Sequence, residues 1–170
     1  MDVLIVDGYN IIGAWPELEA LRDKDLATAR DLLIEKMAEY QAYSGEQVII
    51  VFDAHYVRGI EKKQSTHKIE VVFTKENETA DERIEKLVQE RKHIRNQVYV
   101  ATSDYTEQRT IFAQGALRKS ARELLVEMNN IEKEIQQEVK LNNERQYNVK
   151  IPITQEVLDV FEKWRRGKKD

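Results

Sequence analysis

Three apolar runs in this chain end on aspartate, and a fourth aspartate opens a helix just after another run. Val3-Leu4-Ile5-Val6 leads into Asp7, Val48-Ile49-Ile50-Val51-Phe52 into Asp53, and Val98-Tyr99-Val100-Ala101-Thr102 into Ser103-Asp104, while Asp81 follows the run that ends at Thr74. Short β-branched runs separated by helical stretches predict parallel strands joined by crossover helices. Ligands of such sheets bind outside the carboxyl ends of the strands. Four carboxylates gathered there repel one another and are costly to keep ionised without a cation. A hard, oxygen-seeking divalent metal suits that set, and phosphate chemistry is its commonest use. The residue types and their placement therefore point to metal-dependent phosphodiester cleavage.

Each acid also has a structural explanation. Asp7-Gly8 is an ordinary turn dipeptide. Thr79-Ala80-Asp81-Glu82 spells a capping box, in which Thr79 caps, Glu82 reciprocates and Asp81 gains from the helix dipole. Ser103 and Asp104 are common helix caps. A lone acid of this kind reads as structural, whereas four at one sheet edge shift the balance to function. Asn10 offers an amide to a phosphate oxygen or to a metal's water, or else serves the turn. Thr102 and Ser103 offer hydroxyls to the same ligands.

The elements that must position these groups follow from periodicity. Strands are expected at Asp2–Val6, Gln47–Phe52, Ile69–Thr74 and Gln97–Thr102, with a turn over Asp7–Asn10 and a long loop from Asp53 to Lys68. Leu26–Tyr43 reads as a helix, with Leu26, Ala29, Leu33, Met37 and Tyr40 on one stripe and Gly45 beyond its end. A second helix runs from the capping box to Lys92. From Thr106 to about Lys140 the pattern is helical, broken near Gln114-Gly115; Asn142–Asn148 reads as a polar loop, and Thr154–Arg166 as a last amphipathic helix. The expected architecture is one α/β domain over residues 1–170. A central, mainly parallel sheet of four strands, or five, is flanked by helices, and 116–170 form a mostly helical C-terminal extension with one long helix.

Composition narrows the function classes. No apolar stretch approaches the ~20 residues of a membrane span, and the chain enters a strand with no signal segment before it. There are no cysteines, which excludes disulfides and thiolate metal sites and suits a reducing, cytoplasmic setting. With a formal net charge of −4 the chain is not a generic polycation, but its charge is uneven. Residues 76–90 are acidic, whereas 54–75 carry Arg58, Lys62, Lys63, Lys68 and Lys75, with His55 and His67 between them. A basic loop beside an acidic centre suits phosphate-backbone binding next to a metal. Arg118, Lys119 and Arg122, within about one turn on the long helix, form a second candidate RNA-binding face. His55 and His67 in one loop also allow metal-free acid–base chemistry, though a surface or RNA-contacting role suits them better. No Gly-rich phosphate loop, nucleophile elbow or zinc spacing is present.

Val-Asp-Gly-Tyr-Asn at 6–10, Val-Phe-Asp-Ala at 51–54, Phe-Thr-Lys-Glu-Asn-Glu-Thr-Ala-Asp at 73–81 and Thr-Ser-Asp-Tyr-Thr-Glu-Gln at 102–108 resemble the bacterial YacP-like family of NYN-domain, PIN-like proteins. The likeness covers nearly the whole chain. It implies a PIN-like fold and an Mg2+- or Mn2+-dependent endoribonuclease whose substrate is mRNA under translation, with the ribosome as partner. Carried over, Asp7, Asp53, Asp81 and Asp104 fill the catalytic positions, with Asn10 and Ser103 supporting. Asp7, Asp81 and Asp104 would be the metal ligands. Many NYN proteins show Gly-Asp-x-Asp after the fourth strand, whereas this chain has Ser103-Asp104 and no further acid until Glu107, which implies a one-metal site. Two rivals belong to other classes. A receiver domain would need an acidic pair after the first strand, where Asp7 is followed by Gly8-Tyr9. A non-catalytic RNA- or ribosome-binding factor would use its acids structurally.

Overall fold

The computed structural model describes residues 1–56, 68–104, 108–148 and 155–167. Arg58, Lys62, Lys63, His67, Tyr105, Glu107 and the Ile151-Pro152-Ile153 segment lie outside the described residues. The elements, in chain order, are β1 (Val3–Asp7), α1 (Gly8–Ala14), α2 (Pro16–Lys24), α3 (Leu26–Ser44), β2 (Gln47–Phe52), a 3-10 turn (Ala54–Tyr56), β3 (Glu70–Phe73), α4 (Ala80–Arg91), β4 (Val98–Ala101), α5 (Gln108–Ala113), β5 (Leu117–Lys119), α6 (Ala121–Asn148) and α7 (Gln155–Arg165). The strands form one five-stranded sheet in the order β3-β2-β1-β4-β5, parallel at every pairing.

β1 lies at the centre, and Val3, Leu4, Ile5 and Val6 are all buried, as expected of a strand covered on both faces. Alternation divides its side chains. Val3 and Ile5 join Ile49, Val51, Val98 and Val100 in a core with Ile84, Leu87 and Val88 of α4 and Ile111 of α5. The other face of the sheet meets α1 and α3, where Ile11, Ile12, Ala29, Leu33 and Met37 are buried. Each such aliphatic side chain contributes about 1.5–3 kcal/mol by leaving water, so the sheet edge that carries the acids rests on a rigid base.

Helix boundaries have local causes. Asp25 caps α3, its carboxylate accepting from the Ala27 N–H (3.0 Å) and the Thr28 hydroxyl (2.8 Å), and Gly45 ends it at φ 75°. Thr79 caps α4 by accepting from the Glu82 N–H at 3.2 Å. At Gly8 a Cβ would sit 2.4 Å from the Phe52 ring, so only glycine lets α1 start directly on β1.

Four expectations are corrected. Gly8–Asn10 is the first turn of α1, not a turn outside a helix. Leu117–Lys119 is a strand, β5, pairing with β4, and not the opening of the long helix. Arg118 and Lys119 therefore do not share a helical face with Arg122, which alone of the three lies on α6. Asn142–Asn148 is helical: α6 runs on through it, because Glu, Arg and Gln favour a helix without needing an apolar stripe.

Backbone packing divides the chain into two compact units, Met1–Ile131 and Glu132–Asp170. The first holds the sheet and the four aspartates. The second holds the distal part of α6 and α7. On α7, Leu158, Val160, Phe161 and Trp164 are exposed, and Phe161 meets Trp164 edge to face. Among the described residues, no helix is long and apolar enough to cross a membrane.

Candidate metal centre at the carboxyl edge of the sheet

Asp7 ends β1 and stands at the N-cap position of α1, yet its side chain makes no capping hydrogen bond. The Asn10 backbone N–H still acts on the carboxylate, so the turn accounts for part of its setting. Thr102, fully buried at the end of β4, donates its hydroxyl to Asp7 Oδ2 at 3.4 Å and accepts from the Asp104 N–H at 3.1 Å. One threonine thus ties the first aspartate to the loop of the last. Asn10 ties the same two segments again: its Oδ1 accepts from the Ser103 N–H (2.7 Å) and from the Ser103 hydroxyl (2.8 Å). Asn10 is a clamp on the loop after β4, its carbonyl oxygen already occupied.

Electrostatics show which acids gather. The Asp7 carboxyl is pushed up from 3.8 to about 7, first by burial and next by the Asp81 charge, with the Asp104 charge adding to them and the Thr102 hydroxyl and Asn10 backbone hydrogen bonds working against them. Asp7, Asp81 and Asp104 therefore form one repelling cluster, the situation in which a carboxylate holds its proton. Asp81 is exposed in the first turn of α4, two residues past the Thr79 cap. α4 packs beneath β1 and β2, which brings that first turn to the edge.

Asp53 has a different environment. Its Oδ1 accepts from the His55 N–H at 3.0 Å and starts the 3-10 turn, while the Ala54 N–H donates to Thr74 Oγ1 at 2.9 Å. Asp53 sits at the same strand edge, while the carboxylates that raise Asp7 are Asp81 and Asp104. Glu78, buried in the loop before α4, is bound through Oε2 to Lys86 Nζ at 2.7 Å, and that partner lowers its pKa.

The basic residues scatter. Lys68 is exposed, and its carbonyl accepts from Gln41, whose Oε1 in turn takes the Val48 N–H. It thus lies at the amino end of the strands, away from the acids. Arg118 stands opposite Val100 and donates from Nε to Thr102 O at 3.1 Å, which puts a cation beside the acid loop. Lys119, its side chain 12% exposed, turns instead to Tyr40 (3.2 Å) and Glu127 (3.0 Å). Arg122 is exposed. The Thr102 bridge and the Arg118 contact were the features least visible in sequence. The first had a signal in the hydroxyl before Ser103-Asp104, and the second was hidden by the helical reading of 117–119.

The donor chemistry suits a divalent cation, because the charges of Asp81 and Asp104 raise the pKa of Asp7 and a cation beside it would offset them. Among the described residues, no three of His, Asp and Glu stand close enough together to hold a metal ion as they are placed.

The YacP-like NYN domain family model matches residues 4–166. A full-length comparison gives 61% identity over 170 residues, all of both chains, to "Uncharacterized protein YacP" of Bacillus subtilis (strain 168). The crystal structure of Rae1 (YacP) from Bacillus subtilis superposes with a TM-score of 0.80 at 61% identity, over 98% of this chain and 96% of that one. Its W164L mutant does so at 0.75 and 57%, with the same coverage. NYN domains are part of the PIN-like nuclease superfamily, whose members generally use divalent metals. With the parallel sheet and its acidic carboxyl edge, these matches place the chain in the YacP-like NYN domain family.

Proposed function

We propose that this protein is a metal-dependent endoribonuclease that cleaves mRNA during translation on the ribosome and so contributes to mRNA decay. The observation that carries the nuclease reading is Thr102 at the carboxyl edge of a parallel sheet, hydrogen-bonded both to the Asp7 carboxylate and to the Asp104 N–H, with the Asp81 charge acting on the same Asp7. The choice of mRNA and the ribosome rests on the family resemblance.

Asp7, Asp81 and Asp104 would hold one Mg2+ or Mn2+, which supplies charge stabilisation to the phosphate and acidifies a nearby water. The chain's own residues do the rest. Thr102 fixes the Asp7 carboxylate and the Asp104 backbone together. Asn10 holds Ser103 and so sets the approach of Asp104. Asp53 supports the edge through its turn and helps orient the attacking water. Arg118, beside Thr102, offers a positive charge to the strand being cut. Water attacks phosphorus, the bond to the 3′ oxygen breaks, and the products are a 5′-phosphate and a 3′-hydroxyl. Residues 1–170 act as one functional domain, with 116–170 as its helical extension.

The test is primer-extension mapping of an mRNA in a reconstituted bacterial translation reaction, comparing wild type with Asp81→Asn, with translation running and with initiation blocked. A new 5′ end only with wild type and active translation is the expected result. Cutting with initiation blocked would leave a plain ribonuclease and remove the ribosome from the proposal. Cutting by Asp81→Asn at the wild-type rate would overturn the mechanism.

A further inference from the structure

β3 is an edge strand of the sheet, and it ends on Phe73, which is 48% exposed. An apolar ring half in water at the end of a short strand needs a reason, because the same strand's Val71 and Val72 are better covered. Phe73 pairs in register with Phe52, and the two rings lie 5.8 Å apart at 28°, nearly parallel. Phe52 is fully buried and meets the Tyr9 ring at 5.1 Å. Three aromatic rings thus run in series from α1 to the edge of the sheet.

The ladder is fixed in place. The Phe52 ring packs tightly against Gly8, where a Cβ would lie 2.4 Å from it, and Arg30 donates to the Tyr9 hydroxyl at 3.2 Å. The Thr74 N–H donates to Phe52 O at 3.0 Å, and Thr74 Oγ1 takes the Ala54 N–H, so the residue after Phe73 is locked to the strand beside it. The terminal ring is therefore a preorganised flat surface that loses little entropy on meeting a ligand. It lies at the carboxyl edge, where β1 and β2 also end on Asp7 and Asp53, and Lys75 is exposed two residues on.

We propose that Phe73 is a stacking platform for one unpaired base of the RNA strand that enters the acidic site. Aromatic rings bind bases of any sequence through their π faces, and the lysine beside it suits the phosphate backbone. The platform adds binding and register but does not touch the reacting phosphate, which makes Phe73 a substrate-binding residue. The nuclease reading supplies only the class of ligand.

The test is equilibrium binding of a fluorescein-labelled single-stranded oligoribonucleotide, by anisotropy, in the non-cutting Asp81→Asn background. Phe73→Ala is expected to weaken binding about tenfold or more, Phe73→Tyr to leave it within about twofold, and Phe73→Leu to resemble Ala although it keeps apolar volume. A series of oligonucleotides with one abasic position each should contain one that costs the Asp81→Asn protein the same factor and costs the Phe73→Leu version nothing further. In the cutting enzyme, Phe73→Leu raises KM and spares kcat. Binding unchanged by both Phe73→Leu and Phe73→Ala overturns the proposal, as does an abasic penalty that persists in Phe73→Leu. The binding arm needs no cleavage, so an RNA-binding protein that never cuts would sink the proposed function and leave the platform standing.

Discussion

Two polar clusters flank the same sheet, and they are solved in opposite ways. One joins α3, β5 and α6. Tyr40 donates to Glu127 at 2.9 Å and to Glu46 at 3.4 Å, and Lys119 donates to both Tyr40 and Glu127, with its ammonium 5.1 Å from the centre of the Tyr99 ring. Two carboxylates are met there by a lysine and a phenol, and burial together with those acids holds the Tyr40 proton firmly in place. The other cluster is Asp7, Asp81 and Asp104. The charges of Asp81 and Asp104 raise Asp7, and the Thr102 hydroxyl and the Asn10 backbone N–H lower it. The first cluster holds a lysine among its acids, whereas the acids of the second raise the proton affinity of Asp7, a charge that a bound cation would offset under the proposed function.

The comparison breaks first at the acids. Asp7→Asn and Asp81→Asn are each expected to slow cleavage about a thousandfold, some 4 kcal/mol of barrier, with the fold intact by circular dichroism. Retained cleavage in both would place the chemistry elsewhere.

The next effect is on stability. Asp7 sits at about 7 in the folded chain against an ordinary 3.8, so the folded state binds that proton more tightly. In metal-free protein, stability contributed by the protonated form is lost as pH rises from about 4 to about 7, on the order of 4 kcal/mol at full ionisation. Urea melts across that range should show the loss in wild type and much less of it in Asp7→Asn. The same proton must leave when a cation binds, so Mn2+ affinity followed by calorimetry should climb with pH to about 7 and then level.

Lys119→Met tests the other cluster. It leaves Glu127 and the Tyr40 hydroxyl without their lysine and should cost about 2 kcal/mol, less than for a fully buried pair because Glu127 is partly exposed. The kcat of the folded fraction should not change. Asn10→Ala removes the acceptor for two Ser103 hydrogen bonds and is expected to lower kcat about tenfold, with little change in KM. Smallest is Thr79→Ala, worth about 1 kcal/mol of helix capping and nothing in cleavage. If it abolished cutting while Asp81→Asn did not, the roles of cap and ligand on α4 would be exchanged.

Most of the scaffold was legible because its signals are local. Gln47–Phe52 is a six-residue apolar strand with sharp ends, and both the α3 stripe and the Thr79 cap follow from side chains a few positions apart. β5 was not legible. Three residues carry no period, and Leu117 happens to lie four positions before Ala121, as a helix would space them. In the site, the places of Asp7, Asp53 and Asp104 at strand ends and of Asp81 in the first turn of α4 could be read from the sequence. What could not be read was what each neighbour holds: Asn10 on Ser103, Thr102 between two aspartates, Arg118 on a carbonyl. Those pairings depend on which strands lie side by side, information that separate runs of sequence do not contain.

The strand order has a consequence for how the molecule comes into being. β1 is made first but pairs on one side with β2 and on the other with β4, and Thr102 lies 95 positions beyond the Asp7 it touches. A growing chain can zip β1 to β2 early, but it leaves the opposite edge of β1 open until most of the polypeptide exists. Non-local pairings of this kind close late and slowly. The first of the four aspartates at the sheet edge is thus among the last groups to acquire its working surroundings, and no short nascent fragment carries a partly built site.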